Sequence, residues 1–287
     1  MKIFVAGATG AIGRQLLPLL VAAGHEVAGA TRVAAKDELI RSLGATPVIV
    51  NVFDRSALIA AVVAARPDVV IHQLTDLAGH DFAGNTRIRI EGTRNLVDAA
   101  QAAGVRRVIA QSLAFAYAPG AGPAREDEPL DLDAPESRRR TVVGVQALEE
   151  AVAALPEGVS LRYGLLYGPG TWYAPDGEIA DQVRRGALVA NASVSSFVHV
   201  ADAAGAALAA LDWPAGAVNI VDDEPAPATV WLPVYAAALG APAPPTATGQ
   251  DRAARGASNA KARHELGWQP RYPTWRIGFG ESVRRES

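Results

Sequence analysis

The chain has 287 residues, enough for one large α/β unit or two modest domains. Its 27 basic and 30 acidic side chains leave a net charge of −3, which offers no basic excess to nucleic acid or to an anionic membrane surface. There is no cysteine, so disulfides, thiolate catalysis and cysteine metal sites are excluded, in keeping with a reducing compartment.

Read in chain order, residues 3–6 are an apolar strand and residues 11–23 a helix stopped by Gly24. A strand over 26–31 precedes a short helix over 36–43, which ends at Gly44. A strand over 46–51 leads to a helix over 55–65 closed by Pro67. A strand over 68–73 is followed by a long helix over 86–103, ended by Gly104. The series closes with a strand over 107–111, a helix over 138–155 and a strand over 159–163. Strands alternating with helices call for a parallel sheet, and right-handed crossovers make it a doubly wound Rossmann α/β fold.

Residues 118–136, rich in proline, glycine and acids, are long for a plain connection and read as either a functional loop or a solvated one. Beyond residue 165 the alternation fades into a strand over 195–200, a helix over 201–211, a strand over 217–221 and helices over 229–239 and 258–266. The expected division is a dinucleotide-binding domain over 1–165 and a smaller, mainly substrate-binding C-terminal lobe over 166–287, interleaved with it. The longest apolar runs, such as 16–23, fall well short of the roughly 18–20 residues of a membrane span. The N-terminus runs straight into a glycine turn and does not read as a signal peptide. The expected location is the cytoplasm, with no membrane partner.

The glycine turn carries the first chemistry. Gly7, Gly10 and Gly13 follow a strand and open a helix at the start of a βαβ series. The first permits the tight turn, the second lets backbone approach a pyrophosphate, and the third lets helix pack on strand. The helix N-terminus then offers free N–H groups and its positive dipole end to phosphate. At the end of the second strand an acid would bind the free ribose hydroxyl of NAD, but Thr31-Arg32 stands there. A guanidinium suits a 2′-phosphate, so Arg32, with Arg14 as a second candidate, favours NADP(H) over NAD(H); otherwise Arg32 is a solvated turn residue. Asp54 is either the contact to the adenine amino group or a helix N-cap. No clustered ligand spacing points to a metal.

Residues 7–13 (Gly-Ala-Thr-Gly-Ala-Ile-Gly), 91–96 (Glu-Gly-Thr-Arg-Asn-Leu), 165–170 (Leu-Leu-Tyr-Gly-Pro-Gly), 197–202 (Phe-Val-His-Val-Ala-Asp) and 258–268 resemble the extended short-chain dehydrogenase/reductase superfamily, the group containing NAD-dependent sugar epimerases and dehydratases. The resemblance spans nearly the whole chain. It implies cofactor contacts from Gly7, Thr9, Gly10, Ala11, Ile12 and Gly13 in the turn, and from Leu74 and Thr75 after the fourth strand. Gln146 joins them, and Tyr167 has either a nicotinamide contact or a structural role.

The same resemblance predicts a Tyr-x-x-x-Lys pair on the helix after the long loop, where this chain has Val142 and Gln146. The family's serine or threonine falls at Leu113, beside Ser112, and its asparagine at Arg89. No other register restores the lysine, because residues 37–260 contain none.

A phenol with a pKa near 10 then lacks the charge that lowers it, and an unusual proton donor is needed beside the cofactor's hydride chemistry. Tyr117, just past the fifth strand, is the first candidate, or else a pocket wall. Ser112 is a candidate for hydrogen bonding a carbonyl, and Gln146 for holding the nicotinamide ribose. Arg89 either supplies the missing positive charge or is a surface helix residue. Asp76, Tyr117, Trp172 and His199 are the candidate substrate contacts, with turn formation the plainer role for Asp76 and packing the plainer one for His199.

The expected function is an NADP-dependent oxidoreductase acting on a small or medium organic carbonyl, imine or activated alkene. Two alternatives stay open: a lyase, isomerase or epimerase that retains its nucleotide, and a non-enzymatic NADP-binding regulator. The expected partner is a small-molecule substrate, and a homodimer through the helices at 86–103 and 138–155 is allowed.

Overall fold

A computed structural model describes residues 1–75 and 81–285. Its elements are β1 (Lys2–Ala6), α1 (Ala11–Ala22), β2 (Glu26–Thr31), α2 (Asp37–Ser42), β3 (Thr46–Ile49), α3 (Arg55–Ala65), β4 (Val69–His72), α4 (Phe82–Arg87), α5 (Thr93–Ala102), β5 (Arg107–Leu113), α6 (Glu136–Ala153), β6 (Val159–Tyr163), β7 (Leu165–Tyr167), α7 (Glu178–Arg184), β8 (Val194–Ser195), β9 (Phe197–His199), α8 (Val200–Ala209), β10 (Gly216–Ile220), β11 (Ala226–Pro227), α9 (Ala228–Ala238) and α10 (Trp275–Arg285).

Seven strands form a parallel sheet in the order β10-β6-β5-β4-β1-β2-β3. The reversal of strand order beside β1 is the doubly wound pattern expected from the alternation of strands and helices. Val69, Val70 and Ile71 of β4 are all buried, as in a parallel strand covered on both faces. Among the described residues, no helix is long and apolar enough to cross a membrane.

The chain divides into two units, each assembled from separate segments. The first comprises Met1–Ser112, Leu132–Leu161 and Ala204–Ala217. Its core joins Phe4, Val70 and Val108 of the strands to Leu96 of α5 and Leu148 and Val152 of α6. Burying each of these larger side chains is worth roughly 1.5–3 kcal/mol. The second comprises Leu113–Asp131, Arg162–Ala203 and the chain from Val218 on. Its core is aromatic: Tyr167, Phe197, Trp231, Tyr235, Tyr272, Trp275 and Phe279 pack together. Phe197 meets Trp231 and Phe279 edge-on at centroid distances of 5.1 and 5.3 Å, the geometry favoured by the ring quadrupole.

Most expected elements form within a few residues of their expected bounds, and the departures have local causes. The helix expected from residue 86 begins at Phe82, because the Asp81 carboxylate accepts a hydrogen bond from Gly84 N at 2.7 Å and caps it. A π-helical turn, Ile88–Gly92, then separates α4 from α5. The helix expected over 258–266 is a single π-helical turn, Lys261–Glu265. The strand expected over 195–200 is split into β8 and β9. β7, α7 and α10 are additions without a clear sequence pattern. Two glycines in the first six residues of α10 weaken its local signal. The helix is held by burial of Trp275 and Phe279, and by Asp222, whose carboxylate accepts from Trp275 N at 2.8 Å.

Candidate functional site

In the first unit the turn between β1 and α1 is fixed by backbone contact. Gly7 has φ +90°, and a side chain there would also meet Gln73 O at 2.4 Å. A Cβ at Gly13 would lie 2.3 Å from Gly7 O and 2.6 Å from Ala8 O. At Gly10 the nearest atom would be Gly7 O at 3.4 Å, so this glycine leaves the turn open on its exposed side. Gly10 caps α1 with no side-chain hydrogen bond, and the first turn has no acid. The N–H groups of Ala11 and Ile12 therefore face the turn without a competing side chain, with Thr9 half-buried beside them. This geometry fits the pyrophosphate of a dinucleotide.

Around the turn, Thr31 is buried at the end of β2 and its hydroxyl accepts from Val33 N at 3.2 Å, which sets the chain's exit and leaves Arg32 exposed. Arg14 is exposed on α1. Asp54 takes the N-cap role: its carboxylate accepts from Ala57 N at 3.0 Å. After β4, Leu74 is half-buried and Thr75 exposed, and Leu74 O accepts from the Gln111 amide at 3.0 Å. Asp76 and His80 lie outside the described residues.

Val142, Gln146 and Glu149 follow one another along one side of α6, at spacings of four and three residues. Val142 is buried and Gln146 half-buried. Ser112, itself buried, donates its hydroxyl proton to Glu149 Oε1 at 2.6 Å, so it does not stand as a donor to a substrate carbonyl. Glu149 was not among the expected site residues, although its place seven residues after Val142 on one helix face is a readable signal.

Arg89 departs furthest from its surface reading. It sits in the π-helical turn and is only 8% exposed, with its stem against Gly144 of α6: a Cβ there would stand 3.5 Å from Arg89 Cδ. Burial pushes its guanidinium down to about 10, still protonated at neutral pH. His72, at the end of β4, is fully buried. Its Nδ1 accepts from Leu74 N at 3.1 Å, which leaves Nε2 to donate to Thr93 Oγ1 at 2.9 Å. Burial, and then the charge of Arg89, hold it down to about 4, so it is neutral.

In the second unit the two expected tyrosines are buried. Tyr117 is buried; its hydroxyl donates to Asn219 Oδ1 at 2.6 Å and accepts from Arg162 Nη1 at 2.7 Å. Burial pushes it up to about 12 against the opposing charge of Arg162. Asn219 is in turn held by Ala124 O and Ser258 O. Both the donor and an acceptor site of the phenol are thus taken up inside the protein. Tyr167 is fully buried in the aromatic core, 5.1 Å from the rings of both His199 and Phe279. Burial, followed by the negative charge of Asp222, raises its pKa. Its ring packs in the core, and its hydroxyl is buried with no hydrogen-bond partner among the described residues.

His199 follows its plainer reading. Its Nδ1 accepts from Ala201 N at 3.1 Å and its ring lies 4.0 Å from that of Tyr272, which replaces a substrate contact with packing. Trp172, half-buried in the segment after β7, is the expected substrate residue of this unit that the core does not enclose.

Comparison with known proteins agrees with this architecture. Residues 3–221 match the model of the NAD-dependent epimerase/dehydratase family. A 3-diazoavenalumate denitrifying reductase from a Streptomyces species is 48% identical, over 98% of this chain and 99% of that one. Among solved structures, a Thermus thermophilus UDP-glucose 4-epimerase in complex with NAD is similar with a TM-score of 0.76 and 25% identity, over 99% of this chain and 98% of that one. The Bordetella bronchiseptica enzyme WbmG, in complex with NAD and UDP, has a TM-score of 0.80 at 21% identity, over 99% of this chain and 94% of that one, and supports the fold alone. The family match, the reductase relative and the glycine turn agree: this chain belongs to the NAD-dependent epimerase/dehydratase family.

Proposed function

We propose that the chain is an NADPH-dependent reductase for a small organic electrophile that brings its own positive charge, with a diazo group in its diazonium form as the leading case. The full-length likeness to a denitrifying reductase carries this reading. The α6 face supports it, because Val142 and Gln146 occupy the places where the resemblance predicts tyrosine and lysine. The carbonyl, imine and alkene substrates expected from the sequence each need a proton as well as a hydride. A diazonium carbon does not: the two electrons of the hydride form the new C–H bond, the C–N bond breaks, and N2 leaves with its electron pair. Charge balances as R–N2⁺ + H⁻ → R–H + N2, so loss of the proton relay costs this reaction nothing.

Gly7, Thr9, Gly10, Ala11, Ile12 and Gly13 would hold the pyrophosphate, Arg32 a 2′-phosphate, and Leu74, Thr75 and Gln146 the nicotinamide half. Bound there, NADPH supplies the hydride. The chain's own residues bind and orient, and His72 and Val142 are themselves buried. Trp172 and Asp76 are the remaining substrate candidates. Exposed Ile90 and Val143 lie on the two segments, 86–103 and 138–155, expected to pair in a homodimer.

The test is turnover of NADPH with isolable aromatic diazonium salts, following nicotinamide absorbance, evolved N2 and transfer of deuterium from C4-labelled cofactor to carbon. The expected result is N2 and deuterated product in equal amounts with oxidised cofactor. NADPH that stays reduced with diazonium, carbonyl, imine and alkene panels alike overturns the reading. Isomerised product without net cofactor oxidation would establish the nucleotide-retaining alternative.

A further inference from the structure

We propose that Arg89 is an oxyanion-binding residue of the first unit, holding a carboxylate or phosphate oxygen of a bound small molecule. Its burial without a partner and the backbone beneath it carry this.

The side chain is 8% exposed, yet among the described residues it has no hydrogen-bond acceptor and no carboxylate partner. Its neighbour Arg87 shows the ordinary alternative: exposed, it forms a two-point pair with Glu91 at 2.6 and 3.1 Å and lies over the Phe53 ring. A guanidinium keeps its charge when buried and has five donors in a planar fork that matches carboxylate and phosphate. Burial of such a charge is costly unless an anion meets it.

The backbone under Arg89 is unusual as well. It belongs to a π-helical turn between two α-helices, a feature that concentrates at functional sites. Thr93 closes that turn by donating to Ile88 O at 3.4 Å while accepting from His72, so the turn is tied to the carboxyl end of β4, where ligands of such sheets bind.

Among the described residues, the nearby ionisable groups are engaged elsewhere. His72 is neutral with both ring nitrogens used. Glu149 accepts from Ser112, Glu91 is paired with Arg87, and Asp54 caps α3. Gly144 adds no side chain to the surface on which the Arg89 stem lies.

The oxyanion has two sources, a substrate carboxylate or the cofactor pyrophosphate. Only the second arm rests on the dinucleotide reading above. The experiment is calorimetric titration of wild type, Arg89→Lys, Arg89→Gln and Arg89→Met with NADPH, with inorganic phosphate, and with 4-hydroxycinnamate against its uncharged amide, each variant first checked by circular dichroism. Affinity for at least one acid probe should fall tenfold or more in Arg89→Gln and Arg89→Met, recover in part in Arg89→Lys, and leave the amide unaffected. Loss confined to NADPH and phosphate identifies the cofactor as source; loss confined to 4-hydroxycinnamate identifies the substrate acid.

Should the uncharged variants fail to fold, the ¹⁵N-arginine Nε signal of wild type that is missing from Arg89→Lys should shift on adding the acid probe. Equal affinities across all variants, a silent Nε signal, or no acid probe bound by wild type overturns the proposal. Wild type that binds 4-hydroxycinnamate through Arg89 but ignores NADPH refutes the dinucleotide reading while leaving this one standing.

Discussion

The two units differ in where their polar groups stand open. At the β1–α1 turn of the first, backbone N–H groups stand at an uncapped helix start and Arg89 lies buried without an acceptor among the described residues. In the second, Tyr117, Arg162 and Asn219 form a closed knot and Asp202 accepts from Arg271 N and Tyr272 N at 2.7 and 2.9 Å, while the Tyr167 hydroxyl and Trp231 Nε1 are buried with no hydrogen-bond partner among the described residues. Polar groups left open are available to a ligand; groups paired internally hold a fold together. In the first unit the open groups are the backbone of the glycine turn and a guanidinium; in the second they are isolated atoms within an aromatic core.

The sharpest way to break this contrast is at the turn. Gly13→Val places a side chain against two backbone carbonyls, and NADPH affinity in a fluorescence titration is expected to fall about a hundredfold or more, equivalent to at least ~2.7 kcal/mol. Unchanged binding would show that the turn does not hold the cofactor.

The next effect is on pH. His72 has a folded pKa of about 4 against an ordinary 6.5, so the unfolded chain takes up the proton first as pH falls. Stability from its neutral burial is present above pH 6.5 and is lost toward pH 4, an effect of order 3 kcal/mol. Asp222 in the second unit has the opposite sign: burial raises it to about 8, so its contribution is full below its ordinary 3.8 and is lost as pH rises through 8. Denaturant melts of wild type and His72→Asn between pH 4 and 7 check this, and the variant should lose the acid-side fall. An unchanged slope would remove His72 from the account.

Tyr117→Phe tests the second unit. It leaves Arg162 and Asn219 short of a partner and should cost about 1–3 kcal/mol in a denaturant melt, with turnover within a few-fold of wild type. A variant of normal stability with turnover reduced a hundredfold would restore the phenol as the proton donor.

Arg32→Ala should cut the preference for NADPH over NADH about tenfold, ~1.4 kcal/mol, in paired titrations. Asp54→Ala should be the mildest, about 1 kcal/mol of stability from a lost N-cap, with cofactor affinity little changed; a large fall in affinity would reinstate the adenine contact.

The glycine turn was legible because its constraints are local: strand, turn and helix start lie within thirteen residues, and their spacing alone implies close backbone approach. The alternation of apolar runs similarly foretold the sheet, since burial on both faces of a parallel strand needs continuous apolar residues. The proton relay was harder to read. A tyrosine after β5 looks the same in sequence whether its hydroxyl meets a substrate or Asn219, 102 residues away. Ser112 likewise shows nothing of Glu149, 37 residues on.

The amino-acid sequence by itself determined the family, the fold class and the turn suited to a dinucleotide, all of which depend on short-range spacing and on which residue types fit a crowded backbone. Tertiary structure alone decided that Arg89 is buried, that His72 is neutral, that the Tyr117 hydroxyl meets Asn219 and Arg162, and that Tyr167 lies within the aromatic core. Each of those outcomes depends on which distant groups share a low-dielectric interior, and burial and pairing of that kind arise only when the segments come together.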